Sequence, residues 1–480
     1  MNKIRIIPRL DVKGPNVVKG INFEGLRVVG NPSILAKKYY DQGADEILYI
    51  DIVASLYERN NLVDIVDITT SVGAFIPITV GGGVRTLEDI RELLYVGADK
   101  IAINTAATKN PKFITEAAKM FGSQSIVGSI EAKKIGLNKW EAYIDCGREK
   151  TGLDAIEWAG DLVELGAGEL LITSVDHEGE QRGYDLELYK AINKKIDIPL
   201  VLCGGAGNKD HIKRCLDEIS CDGISMASIL HYNKITIEEI KNYLKKDYSI
   251  RTPYKADKFF NSHFNKKRKK VSIIDYGVGN IKSVYNAFKK VGNKVEIIEK
   301  PNQVENADML VIPGVGAFED GMNGLKERKL IDPICEHINN DKPLLGICLG
   351  MQLLMSQSEE FGLHEGLDVI KGKVIKFKDP FIVKEKGYVV PQIGWNKIFS
   401  SKYQKWEGSI LNDVPNFSEV YFVHSYYPVL EENKHILAMT EYGGQKFCSS
   451  YRKGNVYGTQ FHPEKSADVG LIIINNFGQL

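Results

Sequence analysis

Cys348 stands in the run Gly346-Ile347-Cys348-Leu349-Gly350, with strand-compatible residues from Leu344 to Ile347 before it and a helical pattern after it. A Gly-x-Cys-x-Gly turn between strand and helix is a nucleophile elbow. Glycines remove Cβ atoms where the chain doubles back, and the central side chain is lifted clear of the sheet. The positive end of the following helix favours a thiolate at Cys348 and offers a backbone N–H to an oxyanion. A nucleophilic thiol needs a base, and Phe461-His462-Pro463-Glu464 supplies an imidazole with a carboxylate two residues on. Cys348, His462 and Glu464 are therefore a candidate triad. A second set of chemical groups lies in the first half, where Asp11 and Glu131 each end a β-prone run. Two carboxylates can divide acid and base work if their surroundings push their pKa values apart.

These groups need frames to hold them. At 480 residues the chain exceeds one ordinary domain, and two of about 200 to 250 residues are the natural division. Hydrophobic content of 43% and charged content of 26% are those of a soluble globular protein. The net charge of zero provides no global field to recruit nucleic acid or an acidic membrane. The first residues, Met1 to Arg9, contain no apolar core of signal-peptide length, and no run approaches the ~18 apolar residues of a membrane span. Seven scattered cysteines argue for a reducing cytoplasm and against a disulfide framework, and none has the spacing of a zinc site.

Short β-rich runs alternate with helical patterns through the first 250 residues. Strands are expected near 4–11, 46–52, 76–80, 99–103, 125–131, 168–174, 198–203 and 222–227, with helices such as 33–42, 87–95 and 154–165 between them. Eight βα units in this length read as an α/β protein with a (β/α)8 barrel; an open doubly wound sheet is the competing arrangement. An internal repeat of about 120 residues runs through the same region. Asp11 corresponds to Glu131, Gly81-Gly82-Gly83 to Gly204-Gly205-Ala206, and Asn104-Thr105 to Ala227-Ser228. All fall at C-terminal strand ends, the face on which barrel enzymes build their sites. Small residues there let backbone N–H groups close on a phosphate. Two such cradles imply a substrate with a phosphate at each end.

Two resemblances follow from these motifs. Pro313-Gly314-Val315-Gly316, the elbow, and Phe461-His462-Pro463-Glu464-Lys465-Ser466 resemble a class I glutamine amidotransferase over residues 271 to 480. The resemblance implies Cys348 as nucleophile on the glutamine amide, His462 as proton shuttle and Glu464 as the group orienting it. Gly314, Val315 and Gly316 would offer oxyanion donors beside the Leu349 N–H, on a loop that completes itself when the partner site is occupied. Gln352, Ser425 and Tyr426 would hold the amino-acid head. Residues 1 to 250 resemble the cyclase subunit of imidazole glycerol phosphate synthase through Arg5-Ile6-Ile7-Pro8-Arg9-Leu10-Asp11-Val12-Lys13, Val18-Lys19-Gly20, Thr79-Val80-Gly81-Gly82-Gly83, Ile103-Asn104-Thr105-Ala106-Ala107 and Cys203-Gly204-Gly205-Ala206-Gly207. This resemblance implies a TIM barrel (1–250), a linker (251–270) and a glutaminase domain (271–480). Asp11, aided by Glu131, would drive imine formation and ring closure, with Lys19 closing over the substrate on a flexible loop. Gly82, Gly83, Asn104 and Thr105 would hold one phosphate; Asp176, Gly179, Gly205, Ala206 and Ser228 would line the other side. Arg5, Glu46, Lys100 and Glu169 match a charged ring that admits ammonia at the barrel's N-terminal face, and Lys465 matches a residue that pairs with Asp99 between the domains. The implied partners are glutamine and a bisphosphorylated ribulosyl-formimino carboxamide nucleotide. The implied products are imidazole glycerol phosphate and aminoimidazole carboxamide ribotide, made in the cytoplasm with no metal or cofactor.

The sequence also departs from the cyclase pattern. Glu131 stands where Asp is usual, which moves the carboxylate by about one bond length. Arg9 stands where a small residue, often Cys, is usual, and being two residues from Asp11 on a strand it points to the same face. Lys13-Gly14-Pro15-Asn16 replaces an Asp-Gly turn. Two other readings are open. In one, the chain supplies ammonia to a sugar amidotransferase in surface-polysaccharide synthesis, whose synthase-like pairs resemble this chain at Ile130-Glu131-Ala132-Lys133 and Ala54-Ser55-Leu56-Tyr57. In the other, the barrel is an inactive scaffold for the glutaminase. The basic run Lys266-Lys267-Arg268-Lys269-Lys270 reads as a solvated linker.

Overall fold

The computed structural model describes residues 3–54, 62–257, 259–260, 268–377 and 388–480. Ser55-Leu56-Tyr57 and the Lys266-Lys267 pair of the basic run lie outside the described residues. Two compact units are present: 1–94, 98–252 and 389–394 form the first, and 95–97, 253–388 and 395–480 the second.

In the first unit, eight strands close into a parallel barrel. They are β1 (Arg5–Lys13), β4 (Ile47–Asp51), β5 (Ile78–Gly81), β6 (Lys100–Ile103), β7 (Ile126–Gly136), β10 (Glu169–Ser174), β11 (Leu200–Cys203) and β12 (Gly223–Met226). Each pairs in parallel with the next in that order, and β12 returns to β1. Strands covered by helices outside and by each other's side chains inside have no wet face, which is why β4 and β10 are buried along their whole length. Period-two alternation on β1 sends Arg5, Ile7, Arg9 and Asp11 to one face and Ile6, Pro8 and Leu10 to the other. Ile7 packs in the interior with Leu48, Val127, Leu171 and Val201. Helices start where the sequence supplies caps: the Asn31 side chain accepts from the Ser33 and Ile34 N–H groups ahead of Pro32–Asp41, and Asp154 does the same for Ala155–Glu164.

Strands β1 and β7 lie diametrically opposite, with three strands between them in either direction. The repeat is visible in the backbone as well. Gly82 and Gly83 have φ of 98° and 75°, against 102° and 107° for Gly204 and Gly205. Asn104 (φ −115°, ψ −83°) and Ala227 (φ −130°, ψ −72°) share an unusual conformation at the start of their helices. Two hairpins extend the barrel beyond the expected runs. β1 continues past Asp11 and turns at Gly14 (φ 56°) into β2 (Asn16–Ile21) and β3 (Glu24–Gly30). A hairpin thus stands where a flexible loop was expected. β7 likewise runs on into β8 (Lys139–Ile144) and β9 (Glu149–Asp154).

The second unit is built on an eight-stranded sheet. Lys294–Ile298, Lys270–Ile274, Met309–Ile312, Leu344–Ile347 and Val456–Thr459 run parallel in that spatial order. Antiparallel strands Gln445–Lys453 and Ile436–Tyr442 follow. The central strand Leu344–Ile347 is wholly buried and delivers Cys348 at its C-terminal end. Among the described residues no helix is long and apolar enough to cross a membrane.

Candidate active sites

Cys348 takes φ 49° and ψ −104° between strand Leu344–Ile347 and helix Leu349–Leu353. A non-glycine residue held at positive φ is strained, and elbows of this kind store that strain to expose a nucleophile. Close approach makes the turn possible: a Cβ on Gly350 would lie 1.9 Å from the Ile312 carbonyl oxygen. The Cys348 N–H donates to the Thr459 carbonyl at 2.7 Å, tying the elbow to the neighbouring strand. His462 follows that strand, and its Nδ1 meets Glu464 Oε1 at 2.7 Å. Nε2 is buried, and the remaining side-chain neighbour of the ring is Cys348. Burial opposes the imidazolium, but the Glu464 carboxylate and the neighbouring Cys348 thiolate overcome it and hold His462 well above its ordinary pKa. A proton taken from the thiol is therefore kept on His462, as an ion-paired nucleophile requires.

The residues expected around the triad converge on it. A Cβ on Gly314 would sit 2.4 Å from Leu349 Cβ, so the 313–316 loop packs directly on the elbow. Val315 and Gly316 follow in the same loop, and Gly316 has φ 144°. Gln352 donates from Nε2 to the Tyr426 carbonyl and to Gln460 Oε1, both at 3.1 Å, and Gln460 Nε2 lies 3.4 Å from the Cys348 sulfur. Ser425 is buried beside them. Burial keeps the adjacent His424 neutral, with its pKa down at about 3. One further residue was not expected from the sequence. Glu360 is a buried carboxylate that accepts from the Phe318 N–H at 2.8 Å; burial pushes it up to about 7, and its charge helps burial raise the Tyr426 phenol to about 12. Lys465 ends the short turn Pro463–Lys465 after the triad. Asp99, in the barrel unit, accepts from the Ile78 N–H at 2.8 Å.

In the barrel, Asp11 is caught between two cations. Arg9 Nε donates to Oδ1 at 2.7 Å and Lys19 Nζ to Oδ2 at 2.8 Å. Burial disfavours its charge, but Arg9 and Lys19 prevail and hold it well below the usual carboxylate range. Glu131, across the barrel, lacks such partners. Burial pushes it up to about 7, and Arg9 and a 2.9 Å bond from the Gly147 N–H offset only part of that rise. One carboxylate is a committed anion and the other is poised near neutrality, the division that paired acid and base work needs. A cavity of about 320 Å3 opens beside Glu131, lined by Gly82, Gly83, Asn104 and Thr105 together with Arg85 and Lys109. The residues expected to hold the first phosphate thus line one cavity together with this carboxylate.

On the other side, Gly179, Gly205, Ala206 and Ser228 lie in the loops that follow β10, β11 and β12, and Ser228 opens the short helix Ser228–His231. A Cβ on Gly179 would lie 2.4 Å from the Gly20 carbonyl, so glycine there lets the β2–β3 hairpin close down. Asp176 departs from its expected place. Its carboxylate accepts from the Lys134 N–H at 2.7 Å and faces an outer cavity with Arg182 and Arg214. The carboxylate that reaches the centre from this loop is Glu178, which is ion-paired with Lys19. The short helical turn Val175–His177 after β10 rotates successive side chains by about 120°, so strand alternation no longer says which acid points inward.

At the opposite, N-terminal end, Arg5, Glu46, Lys100 and Glu169 begin or immediately precede β1, β4, β6 and β10. Arg5 donates to Glu46 at 2.6 Å and to Glu169; Lys100 bridges Glu46 at 2.9 Å and Glu169. Each cation binds both anions, so the ring is closed and neutral. Burial works against ionised Glu46, but Lys100 and Arg5 bring it down to about 2.

Comparison with known proteins fits both halves. Residues 5–236 match the family described as "Histidine biosynthesis protein", and residues 272–477 match "Glutamine amidotransferase class-I". The imidazole glycerol phosphate synthase subunit HisF of Legionella pneumophila is 56% identical over 207 residues, covering 43% of this chain and 97% of that protein. The HisF subunit of Bacillus cereus (strain Q1) is 48% identical over 241 residues, covering 50% of this chain and 95% of its own.

Proposed function

Because the chain belongs to the family of the imidazole glycerol phosphate synthase subunit HisF, joined in one polypeptide to a class I glutamine amidotransferase domain, we propose that it carries out the whole synthase reaction from its own glutamine. Cys348 attacks the side-chain amide carbon of glutamine, and the oxyanion forms against the Leu349 N–H and the 314–316 loop. His462 returns the thiol proton to the departing nitrogen, ammonia leaves, and water then hydrolyses the thioester to glutamate. Gln352, Ser425 and Tyr426 hold the amino-acid head, and the Glu360 carboxylate takes its α-ammonium. Ammonia enters the barrel through the ring of Arg5, Glu46, Lys100 and Glu169, away from water that would protonate it.

The acceptor is the ketose carbonyl of the bisphosphorylated ribulosyl-formimino carboxamide nucleotide. Its phosphates sit on the two sets of strand-end loops, one at Gly82, Gly83, Asn104 and Thr105 and the other at Gly205, Ala206 and Ser228. Glu131, protonated near neutrality, supplies protons to the carbonyl oxygen as the imine forms. Asp11, anionic at rest, takes protons transiently as the ring closes and passes them on as the carboxamide nucleotide is expelled. One observation carries this reading: Asp11, paired with two cations, and buried Glu131 oppose each other between two related turn sets at one end of a barrel whose other end holds a closed ionic ring. Neither the sugar-amidation nor the scaffold reading has a comparable observation behind it. The test supplies purified chain with glutamine and the bisphosphate and measures imidazole glycerol phosphate, carboxamide ribotide and glutamate. Equal amounts of the three support the proposal, and glutamate alone defeats it.

A further inference from the structure

Arg9 is the largest charged group inside the barrel that the proposed chemistry does not use. Its guanidinium is buried and its donors point in set directions. Nε donates to Asp11 Oδ1 at 2.7 Å, while Nη1 donates to Thr173 Oγ1 at 2.9 Å and lies 3.4 Å from the Cys203 sulfur. The fork is therefore anchored on β10 and β11 while it grips a carboxylate on β1. A planar guanidinium held at several donors transmits orientation in a way that a flexible ammonium cannot. The Cζ of the same group lies over the Phe23 ring, 5.3 Å from its centre. Phe23 sits in the tight turn between β2 and β3, where Asn22 and Phe23 have φ of 49° and 62°. The Asn22 N–H donates to the Glu178 carbonyl at 2.7 Å, and the hairpin's Lys19 is paired with both Asp11 and Glu178.

Asp11 thus has two cations of different standing. Arg9 comes from its own strand and cannot leave without breaking the barrel wall, whereas Lys19 comes from a hairpin and leaves when that hairpin lifts. The hairpin's tip in turn rests on Arg9. We propose that Arg9 is a positioning residue that keeps Asp11 ionised and aimed through each opening of the β2–β3 hairpin, and that provides the surface on which the hairpin closes. Substrate can then displace Lys19 from Asp11 without releasing the base from its register. Among the described residues, the charged and titratable groups facing this pair are Lys19 from the hairpin, Glu178 from the loop after β10, Glu131 from β7, Cys146 from the turn after β8, Cys203 from β11 and His231 from the short helix after β12. Both acids attract Arg9, and Lys19 alone competes with it for Asp11.

The catalytic half of this inference rests on the cyclase reading; the hairpin half does not. The experiment measures hydrogen exchange of residues 16–30 in the full chain and the pH dependence of the ammonium-supported rate at constant free ammonia. Arg9→Met should speed exchange of the hairpin about tenfold relative to other barrel strands, reflecting the loss of a buried cation–π contact. It should also lose about tenfold in rate between pH 7.5 and 5.5 where wild type does not, because Asp11 keeps only Lys19. Arg9→Lys restores a charge without the fork that Thr173 and Cys203 hold beneath Phe23, so the pH profile should return while the hairpin stays fast. A purely structural Arg9 would lower the melting temperature and leave both readouts unchanged, and that result overturns the proposal. Should Arg9→Met fail to fold, Arg9→Lys and Phe23→Leu decide: both are expected to loosen the hairpin, and unchanged exchange in both overturns it. A wild-type chain without cyclase turnover would sink the proposed function, while the hairpin exchange would still judge the role of Arg9.

Discussion

Glu131→Gln tests the barrel electrostatics in a way that separates stability from activity. Burial moves the Glu131 carboxyl from an ordinary 4.5 up to about 7. At about 1.4 kcal/mol for each tenfold change in proton affinity, the ionised form is about 3 kcal/mol less favourable in the fold than in the unfolded chain. A carboxyl raised in this way leaves stability intact below pH 4.5 and erodes it as pH climbs through about 7. Glutamine is neutral, nearly the same shape, and can still accept from the Gly147 N–H. The variant should therefore match wild type near pH 4 and exceed it by up to about 3 kcal/mol at pH 8.5. The readout is the global opening free energy of the barrel strands, followed by hydrogen exchange at the two pH values. Over the same range, ammonium-supported cyclisation should fall by about 10²- to 10⁴-fold, the usual worth of a positioned acid. A variant that is less stable at pH 8.5, or whose difference from wild type does not change with pH, would show that Glu131 is not a desolvated acid.

Three other changes probe the glutaminase and the ring. Cys348→Ala should abolish glutamine-dependent turnover while ammonium salts still support cyclisation; loss of both in a folded variant would contradict two separable sites. Glu464→Gln removes the negative charge of the 2.7 Å partner of His462 Nδ1, and glutaminase kcat should drop about 10³- to 10⁴-fold as the imidazolium loses its stabilisation; a drop confined to KM would deny the triad role. Lys100→Ala breaks pairs to Glu46 and Glu169, at a cost of about 3–5 kcal/mol to the barrel, and glutamate should form in excess of cyclised product. One-to-one stoichiometry with only a lower melting temperature would make the ring purely structural.

Much of this was legible because it lies on regular elements. The elbow announces itself through glycine spacing, and the inward direction of Arg9 follows from strand alternation with Asp11. Both hold in the structure, where Arg9 and Asp11 touch. Legibility ended where periodicity did. Asp176 lies within the helical turn after β10 and Glu178 just past it, and only three-dimensional packing shows that Glu178 meets Lys19 while Asp176 accepts from the Lys134 N–H. Glu360 sits outside any strand and far in sequence from the Phe318 N–H it accepts. The β2–β3 hairpin was hidden because its outer strand, Glu24–Gly30, is largely exposed and shows no alternation.

The central claim is that this chain closes an imidazole ring rather than merely releasing ammonia, and growth without histidine tests it most directly. The full chain is expressed in a bacterial strain lacking both subunits of the synthase, on medium containing no histidine. Growth is expected for wild type and absent for Asp11→Asn, which removes the anion that Arg9 and Lys19 hold in place. Soluble protein with intact glutaminase activity that fails to support growth would contradict the account.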